Sequence, residues 1–514
     1  MFGPKLMQAM RKFKRLWDPQ WKMNPGKVID AEPPDANLRF GAAYAPWNPE
    51  THFKFPEDKG SFANAALRCV GVGKCRRTDN AFMCPSFLAT QEEKDTTRGR
   101  AHLLFEMVHG GVINDGWKSD AVRESLDLCL GCKGCKTECP VNVDLATYKS
   151  EFLSHYYEGR LWPRAAYAMG LLDIWARLGS RLPSVANFFS QTAPFSTALK
   201  AMSGIAQPRR LPAFAAQTFT AWARDRQPHT PDGRPVILYP DVFNDYFYPD
   251  TLKAALTVLE RLGYHVIVPS WPVPAIRPLI HFGMLTQAEQ RLRAVLRHLR
   301  PHVVQGVPVI GLEPSTVSVF RDEVPNLMPH DRDGQRLRQK CYLLSEFLDE
   351  EGVALPKLSG QAVLHNHCHQ KAVLKSEAMV NVLNKMGITF EQPEQGCCGM
   401  AGSFGLESEH YGISMQIGER HLLPTVRQAP SDTLIVADGF SCRTQIREAT
   451  DRRPLHLAEL LRMAFDAETQ RVDRYNPEPY YADTNPPILK TSTVALVGAA
   501  LIGGLITARA LTRR

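Results

Sequence analysis

A helical domain carrying a dense cysteine group, followed by two α/β units, is the fold class this sequence predicts. Three observations predict it. Seven of the twelve cysteines fall between Cys69 and Cys139, among helical stretches. From about residue 235 the apolar pattern changes to short strands alternating with helices. That alternation recurs from about residue 361, an internal repeat that points to parallel sheets.

The 514 residues are 44% apolar and 22% charged, folded material with room for two or three domains. The net charge of +8 is spread along the chain, apart from Lys5, Arg11, Lys12, Lys14 and Arg15 near the start. That run reads as one solvated helix face, and no nucleic-acid partner is indicated. The basic start is followed by no apolar core or small-residue cleavage site, so a secretory signal is not expected. Twelve cysteines without an export signal point to metal chemistry in a reducing compartment, the cytoplasm. Cys341 stands apart from the others and reads as a buried core thiol on a helix.

In chain order, residues 1–60, rich in Pro, Trp and polar groups, read as a tail belonging to another domain. Residues 61–160 hold the first cysteine group between helices such as Thr97–His109 and Ser119–Leu128. Residues 161–230 form a helical connector interrupted by Pro163, Pro183, Pro194, Pro208 and Pro212. The first α/β unit, 235–330, has strands at Val236–Tyr239, His265–Pro269 and Val307–Leu312, with helices at Pro249–Leu262 and Ala288–Leu299. The second, 361–465, has strands at Ala362–His365, Ile388–Glu391 and Thr433–Ala437, with a helix at Glu377–Met386. Residues 470–490 read as a Pro- and Tyr-rich linker. Residues 491–508 carry no charge between Lys490 and Arg509. They are a candidate transmembrane helix at the short end of what spans a bilayer, anchoring the protein at the cytoplasmic face. The arginines at 509, 513 and 514 run against the positive-inside rule for such an anchor.

Cys129-Leu-Gly-Cys132-Lys-Gly-Cys135-Lys-Thr-Glu-Cys139-Pro140 is the strongest chemical signal. Three thiolates at this spacing fit three corners of a cubane, and the fourth, marked by the following proline, ligates a second cluster. Zinc sites more often split their ligands into two separated pairs. Cys69-Val-Gly-Val72-Gly-Lys-Cys75 followed by Cys84-Pro85 repeats the skeleton, with Val72 in place of the middle cysteine. By the crossover rule Cys84, Cys129, Cys132 and Cys135 hold a [4Fe–4S] cluster. Cys69, Cys75 and Cys139 hold a [3Fe–4S] or incompletely ligated [4Fe–4S] cluster. The fold class becomes an α-helical ferredoxin-type dicluster domain followed by two α/β Cys-Cys-Gly-type repeats.

Cys368, Cys397, Cys398 and Cys442 fall at strand ends of the second unit, where open sheets place ligands. Four thiolates suffice for one further cluster, with zinc as the rival metal, and His365, His367 and His369 lie beside them for ligation or proton supply. Laid on the second unit, the first aligns Glu313-Pro-Ser315-Thr316 with Gly439-Phe-Ser441-Cys442, and Pro274–Arg277 with Cys397–Met400. The first unit is then a metal-free copy, its cysteines lost.

With these motifs in place the sequence resembles the iron–sulfur half of FAD-linked D-2-hydroxyacid dehydrogenases. These are the fused flavin/iron–sulfur oxidoreductases of the D-lactate and D-2-hydroxyglutarate dehydrogenase type. The glycolate oxidase iron–sulfur subunit and heterodisulfide-reductase-like proteins are further relatives. GSFANAALRCVGVGKCRRTDNAFMCPS, DLCLGCKGCKTECPVNVDLATYK, CCGMAGSFG and ADGFSCRTQI carry the resemblance, to about residue 465. Asp18-Pro19 and Asn24-Pro25-Gly26-Lys27 resemble the closing motif of the flavoprotein half. The resemblance implies a chain that begins in that half's tail, with FAD on a partner dehydrogenase subunit. Electrons would pass from that flavin to a quinone or other carrier. No nucleotide-binding glycine loop is recognisable, so no catalytic residue for substrate oxidation is assigned. A second reading makes the Cys-Cys-Gly site a heterodisulfide-reductase-like thiol/disulfide oxidoreductase. Cys442 is followed by Arg-Thr-Gln445, without the further cysteine some of those enzymes use. A third reading is a zinc-bound scaffold without catalysis.

Overall fold

The computed structural model describes residues 2–468 except 34, 35, 37–39, 41–43, 80, 81, 375, 394 and 395. The predicted linker at 470–490 and the candidate membrane helix at 491–508 lie outside the described residues. Among those described, no helix is long and apolar enough to cross a membrane.

The chain divides into two compact units, one ending at Trp47 and the other starting at Asn48. The first contains the helix Pro4–Trp17, with proline at its first position where no amide partner is needed. Two of its basic residues are paired: Arg11 Nε donates to Asp30 at 2.6 Å, and Lys14 Nζ to Asp18 at 2.9 Å. The sequence predicted a tail reaching to residue 60. The structure instead draws Phe53 and Phe55 into the core of the second unit. The amides of His52 and Phe53 donate to the Glu151 carboxylate there, both at 2.9 Å.

The second unit opens with short helices around the cysteines. Thr97–His109 has the predicted limits for visible reasons. Thr96 Oγ1 accepts from the Gly99 amide at 2.8 Å as a cap, and Gly110, at φ +72°, ends the helix in the left-handed region. Asp120–Asp127, Gly134–Glu138 and Leu145–Tyr156 follow. Phe62, Leu104, Val122 and Phe152 are fully buried between them. The connector then runs through Leu172–Gly179, Pro183–Gln191 and Phe195–Ser203, two of which start at or just after a proline.

Seven strands are present among the described residues. β1 (Arg234–Tyr239), β2 (Tyr264–Ile267), β3 (Val309–Gly311) and β4 (Cys341–Leu343) form one parallel sheet in the order β2-β1-β3-β4. β5 (Gly360–Leu364), β6 (Ile388–Glu391) and β7 (Leu434–Val436) form another, in the order β6-β5-β7. The two thus share an order of second, first and third strand, with a crossover helix after each of the first two. Buried runs such as Val236-Ile-Leu-Tyr239 suit parallel sheets covered on both faces. The helices Pro249–Arg261 and Leu457–Glu468 pack together, so Leu252, Leu256 and Leu259 share one core with Leu457, Leu460 and Leu461.

One expectation is corrected. Cys341 is buried as predicted, but it opens β4 rather than lying on a helix. The preceding helix, Arg332–Lys340, stops one residue earlier. Cys341 then pairs in register with Val309, and its neighbours alternate buried, half-buried, buried, the period of a strand. The sequence reading placed no strand there, because three residues are too short to show that period.

Candidate metal centre

The loop from Cys129 to Cys139 is shaped by two residues in the left-handed region, Gly131 at φ +67° and Lys133 at φ +61°. The Val72 run has the same backbone: Gly71 is at φ +77° and Gly73 at +79°. Val72 therefore holds the position that Cys132 holds in the second run, and its side chain is 60% exposed. Gly134 is required for another reason, since a Cβ there would meet the Phe82 ring at 2.9 Å.

Cys84, Cys129, Cys132 and Cys135 line one small internal cavity. Cys84 Sγ takes the Thr97 amide at 3.0 Å and lies 2.9 Å from Thr97 Oγ1. The Arg98 amide donates to Cys75 Sγ at 3.4 Å. Burial pushes the Cys84 thiol up to about 12, against the pull of Arg100 and Thr97. Burial likewise raises Cys75, Cys132 and Cys135. Cys139 is buried in the same core, and Cys69 packs half-buried against it. All twelve cysteines are free. Buried thiols with amide and hydroxyl donors already at sulfur suit a group that replaces their protons with metal and leaves charge on sulfur.

The second cysteine group forms where β5 and β7 end. Beyond β5, His365-Asn-His367 leads into the helix Cys368–Ala372, and beyond β7, Gly439 caps the helix Phe440–Ala449 that carries Cys442. Cys368 and Cys397 approach to 3.6 Å between sulfurs. His365, Cys398 and Cys442 offer ligand atoms all within 4.8 Å of one another. The structure thus brings the four predicted cysteines together in the two sets Cys368–Cys397 and Cys398–Cys442, and adds His365 to the second. Contacts with Cys397 and Cys442 pull the Cys398 thiol well down, with His365 contributing. His365 Nε2 is buried without a hydrogen-bond partner among the described residues, and burial lowers its pKa. A neutral imidazole beside thiols is a ligand type for iron or zinc.

His367 and His369 have other partners. His367 Nδ1 accepts from the His369 amide at 3.1 Å, and its ring sits where any side chain on Gly439 would go, 2.4 Å from the built Cβ. His369 bridges Ser318 Oγ at 3.1 Å and the Gly131 carbonyl at 3.2 Å, linking the two cysteine groups through one ring. Cys368 lies near enough to Cys132 to add to the rise in the Cys132 thiol that burial causes.

At the corresponding place in the first unit, Glu313 caps the helix Pro314–Ser318 as Gly439 caps its own, putting Thr316 where Cys442 stands. The turn aligned with Cys397–Met400 carries Arg277, whose guanidinium donates to Glu323 at 2.6 and 2.8 Å and to Ser318. An ion pair occupies the region where the second unit gathers thiols. The sequence reading missed this pair, and also Lys133, because no local pattern links residues so far apart.

Matches to known protein families agree with this geometry. Residues 65–143 match the 4Fe-4S dicluster domain, 362–447 the cysteine-rich domain, and 1–28 the C-terminal domain of FAD linked oxidases. The chain thus carries a 4Fe-4S dicluster domain and a cysteine-rich domain, the parts of an iron–sulfur redox component. It is 25% identical to a D-2-hydroxyglutarate dehydrogenase of Pantoea ananatis over 513 residues, covering 90% of this chain and 49% of that protein. The glycolate oxidase iron-sulfur subunit of Escherichia coli is 24% identical over 419 residues, 79% of this chain and 96% of the subunit. One subunit of the anaerobic glycerol-3-phosphate dehydrogenase of Escherichia coli is 27% identical over 308 residues, 58% of this chain and 76% of that subunit. These relatives bear out the resemblance to the iron–sulfur half of FAD-linked dehydrogenases. The chain spans about half the length of the D-2-hydroxyglutarate dehydrogenases it matches.

Proposed function

We propose that this chain is the electron-transfer component of an FAD-linked 2-hydroxyacid dehydrogenase, with the flavin on a partner subunit. The carrying observation is the cavity lined by Cys84, Cys129, Cys132 and Cys135, with hydrogen-bond donors already directed at the Cys84 sulfur. These four residues would hold a [4Fe–4S] cluster. Cys69, Cys75 and Cys139 would hold a [3Fe–4S] or incompletely ligated cluster, since valine at 72 has no donor atom. Cys368, Cys397, Cys398 and Cys442, with His365 alongside, would hold a further metal group. Bound iron–sulfur clusters supply one-electron transfer. The residues around them keep water away, donate hydrogen bonds to sulfur and fix the loop backbone.

His369 and the buried Lys133 join the dicluster loop to both α/β units, which keeps the two cysteine groups at a fixed spacing. The expected donor is the partner's flavin and the expected acceptor a quinone or other carrier. The test is co-purification with any partner, followed by flavin, iron and acid-labile sulfide counts. D-2-hydroxyglutarate, D-lactate and glycolate are then added anaerobically. Bleaching of the visible absorption by one of them is the expected result. Zinc without sulfide, or a flavin-containing complex that none of the acids bleaches, would overturn the reading.

A further inference from the structure

A cavity of about 1360 Å³ lies between the helical connector and the second cysteine group. It is larger than the roughly 300–1,000 Å³ typical of sites for compact small molecules. One wall is formed by Trp175, Leu178, Leu182, Phe189 and Met202 of the connector, all of them about half exposed or more. Apolar side chains left open to this extent on consecutive helices mark a binding surface rather than a packing one. The opposite end is different in character. There the lining includes Cys132, Cys368, His281 and His367.

His281 is the polar group that stands out at this end. Its ring makes no hydrogen bond among the described residues, and its Nδ1 lies 3.5 Å from where a Cβ on Gly131 would be. Ser403, just beyond the left-handed turn at Gly399, also lines the cavity, and its buried hydroxyl has no partner among the described residues. A chamber with a mostly apolar lining along the connector helices and polar groups beside the cysteines fits a molecule with a flat polar ring and a greasy tail.

We propose that this cavity is the binding site of a lipid-soluble quinone, with its ring at the His281 end and its tail along the connector helices. The inference rests on the electron-transfer reading above and adds to it the place where the acceptor sits. In the net reaction the 2-hydroxy acid loses two electrons and two protons, from its C2–H and O–H, to become the 2-oxo acid. The quinone gains both at its two oxygens and becomes the quinol. His281 is a positioning residue that donates a hydrogen bond to one quinone oxygen.

The test uses the intact metal-loaded chain with any partner that co-purifies, and an arylazido derivative of a short-chain ubiquinone as photolabel. Labelled peptides should map to residues 164–203 and 400–403. Decylubiquinone should remove the label, and dodecyl maltoside at the same concentration should not. His281→Leu should weaken decylubiquinone binding roughly tenfold, as expected for one lost hydrogen bond, read by tryptophan quenching. Ala168→Trp, which fills the apolar part, should abolish it. Unchanged visible absorption and melting temperature show that each variant is folded and loaded. Label elsewhere, or equal displacement by the detergent chain, would overturn the proposal. Bleaching by a 2-hydroxy acid, followed with a water-soluble dye, is scored separately. If it persists while no quinone binds, the cavity assignment alone falls; if quinone binds and no acid bleaches, the dehydrogenase reading alone falls.

Discussion

Lys133 Nζ lies 3.0 Å from Glu323 Oε1, with the lysine side chain 2% exposed and the glutamate 1%. Asp144, at 3.2 Å, and Asp322 complete the surroundings of the ammonium. Burial opposes its charge, but the three carboxylates outweigh burial and raise its pKa. Glu323 is shared with Arg277. The loop that presents Cys132 and Cys135 is thereby fastened to the first α/β unit by charges that no solvent screens.

Lys133→Met should be strongly destabilising, by about 3–5 kcal/mol, because it leaves three buried carboxylates around one missing cation. Urea unfolding of the metal-loaded protein measures this. A loss below about 1 kcal/mol would show that Lys136 and Arg277 compensate.

Gly399→Ala tests the turn behind the adjacent cysteines. Gly399 is at φ +83°, and an added Cβ would stand 2.0 Å from the Ser414 carbonyl oxygen. The turn has to open, at a cost of about 3 kcal/mol or more, and carry Cys397 and Cys398 with it. Iron content should fall for the second cysteine group while the dicluster absorption stays. Full metal content and an unchanged melting temperature would contradict the close contact.

Val72→Cys should complete the three-cysteine set. Gly71 and Gly73 already give the backbone the left-handed turns that Gly131 and Lys133 give around Cys132, so the new thiol takes the matching place in the run. A [3Fe–4S] signal in electron paramagnetic resonance of the oxidised protein should disappear in the variant, with a gain of about one iron per chain. An identical signal in both proteins would place that cluster on other residues.

Glu407 supplies a pH dependence. Burial pushes its carboxyl up to about 7 from an ordinary 4.5; His410 and Lys149 oppose the rise, and Asp127 and Glu409 add to it. Because the folded pKa is the higher one, its contribution to stability is complete below about pH 4.5 and is lost as pH rises through 7. Glu407→Gln removes that loss. The variant should gain on the wild type between these limits, reaching roughly 3 kcal/mol at pH 8, with little difference at pH 4. Parallel stability curves would assign the pH response to other groups.

Much of the architecture was legible because its signals are local. The helix Thr97–His109 and the strand Ile388–Glu391 have their predicted limits, since a Thr96 cap and Gly110 flank the helix and Gly387 stands just before the strand. The skeleton shared by the Val72 and Cys132 runs shows in the spacing, because left-handed turns at fixed offsets need glycine or a tolerated substitute. Cys341 was misplaced because a three-residue strand is defined by the neighbour it pairs with rather than by its own residues.

The sequence by itself determined which side chains could ligate metal and that two α/β units follow one another, for ligand spacing and strand–helix alternation are properties of neighbouring residues. Only the tertiary structure decided what surrounds those ligands. It put Lys133 against Asp322 and Glu323, nearly two hundred residues away, brought His365 to Cys398 and Cys442, and set His369 between the two cysteine groups. It also left a large apolar cavity beside Cys132 and Cys368. Burial of charge, the approach of a ring to a thiol and the shape of a void depend on chain segments meeting in space, and no spacing along the chain records those meetings.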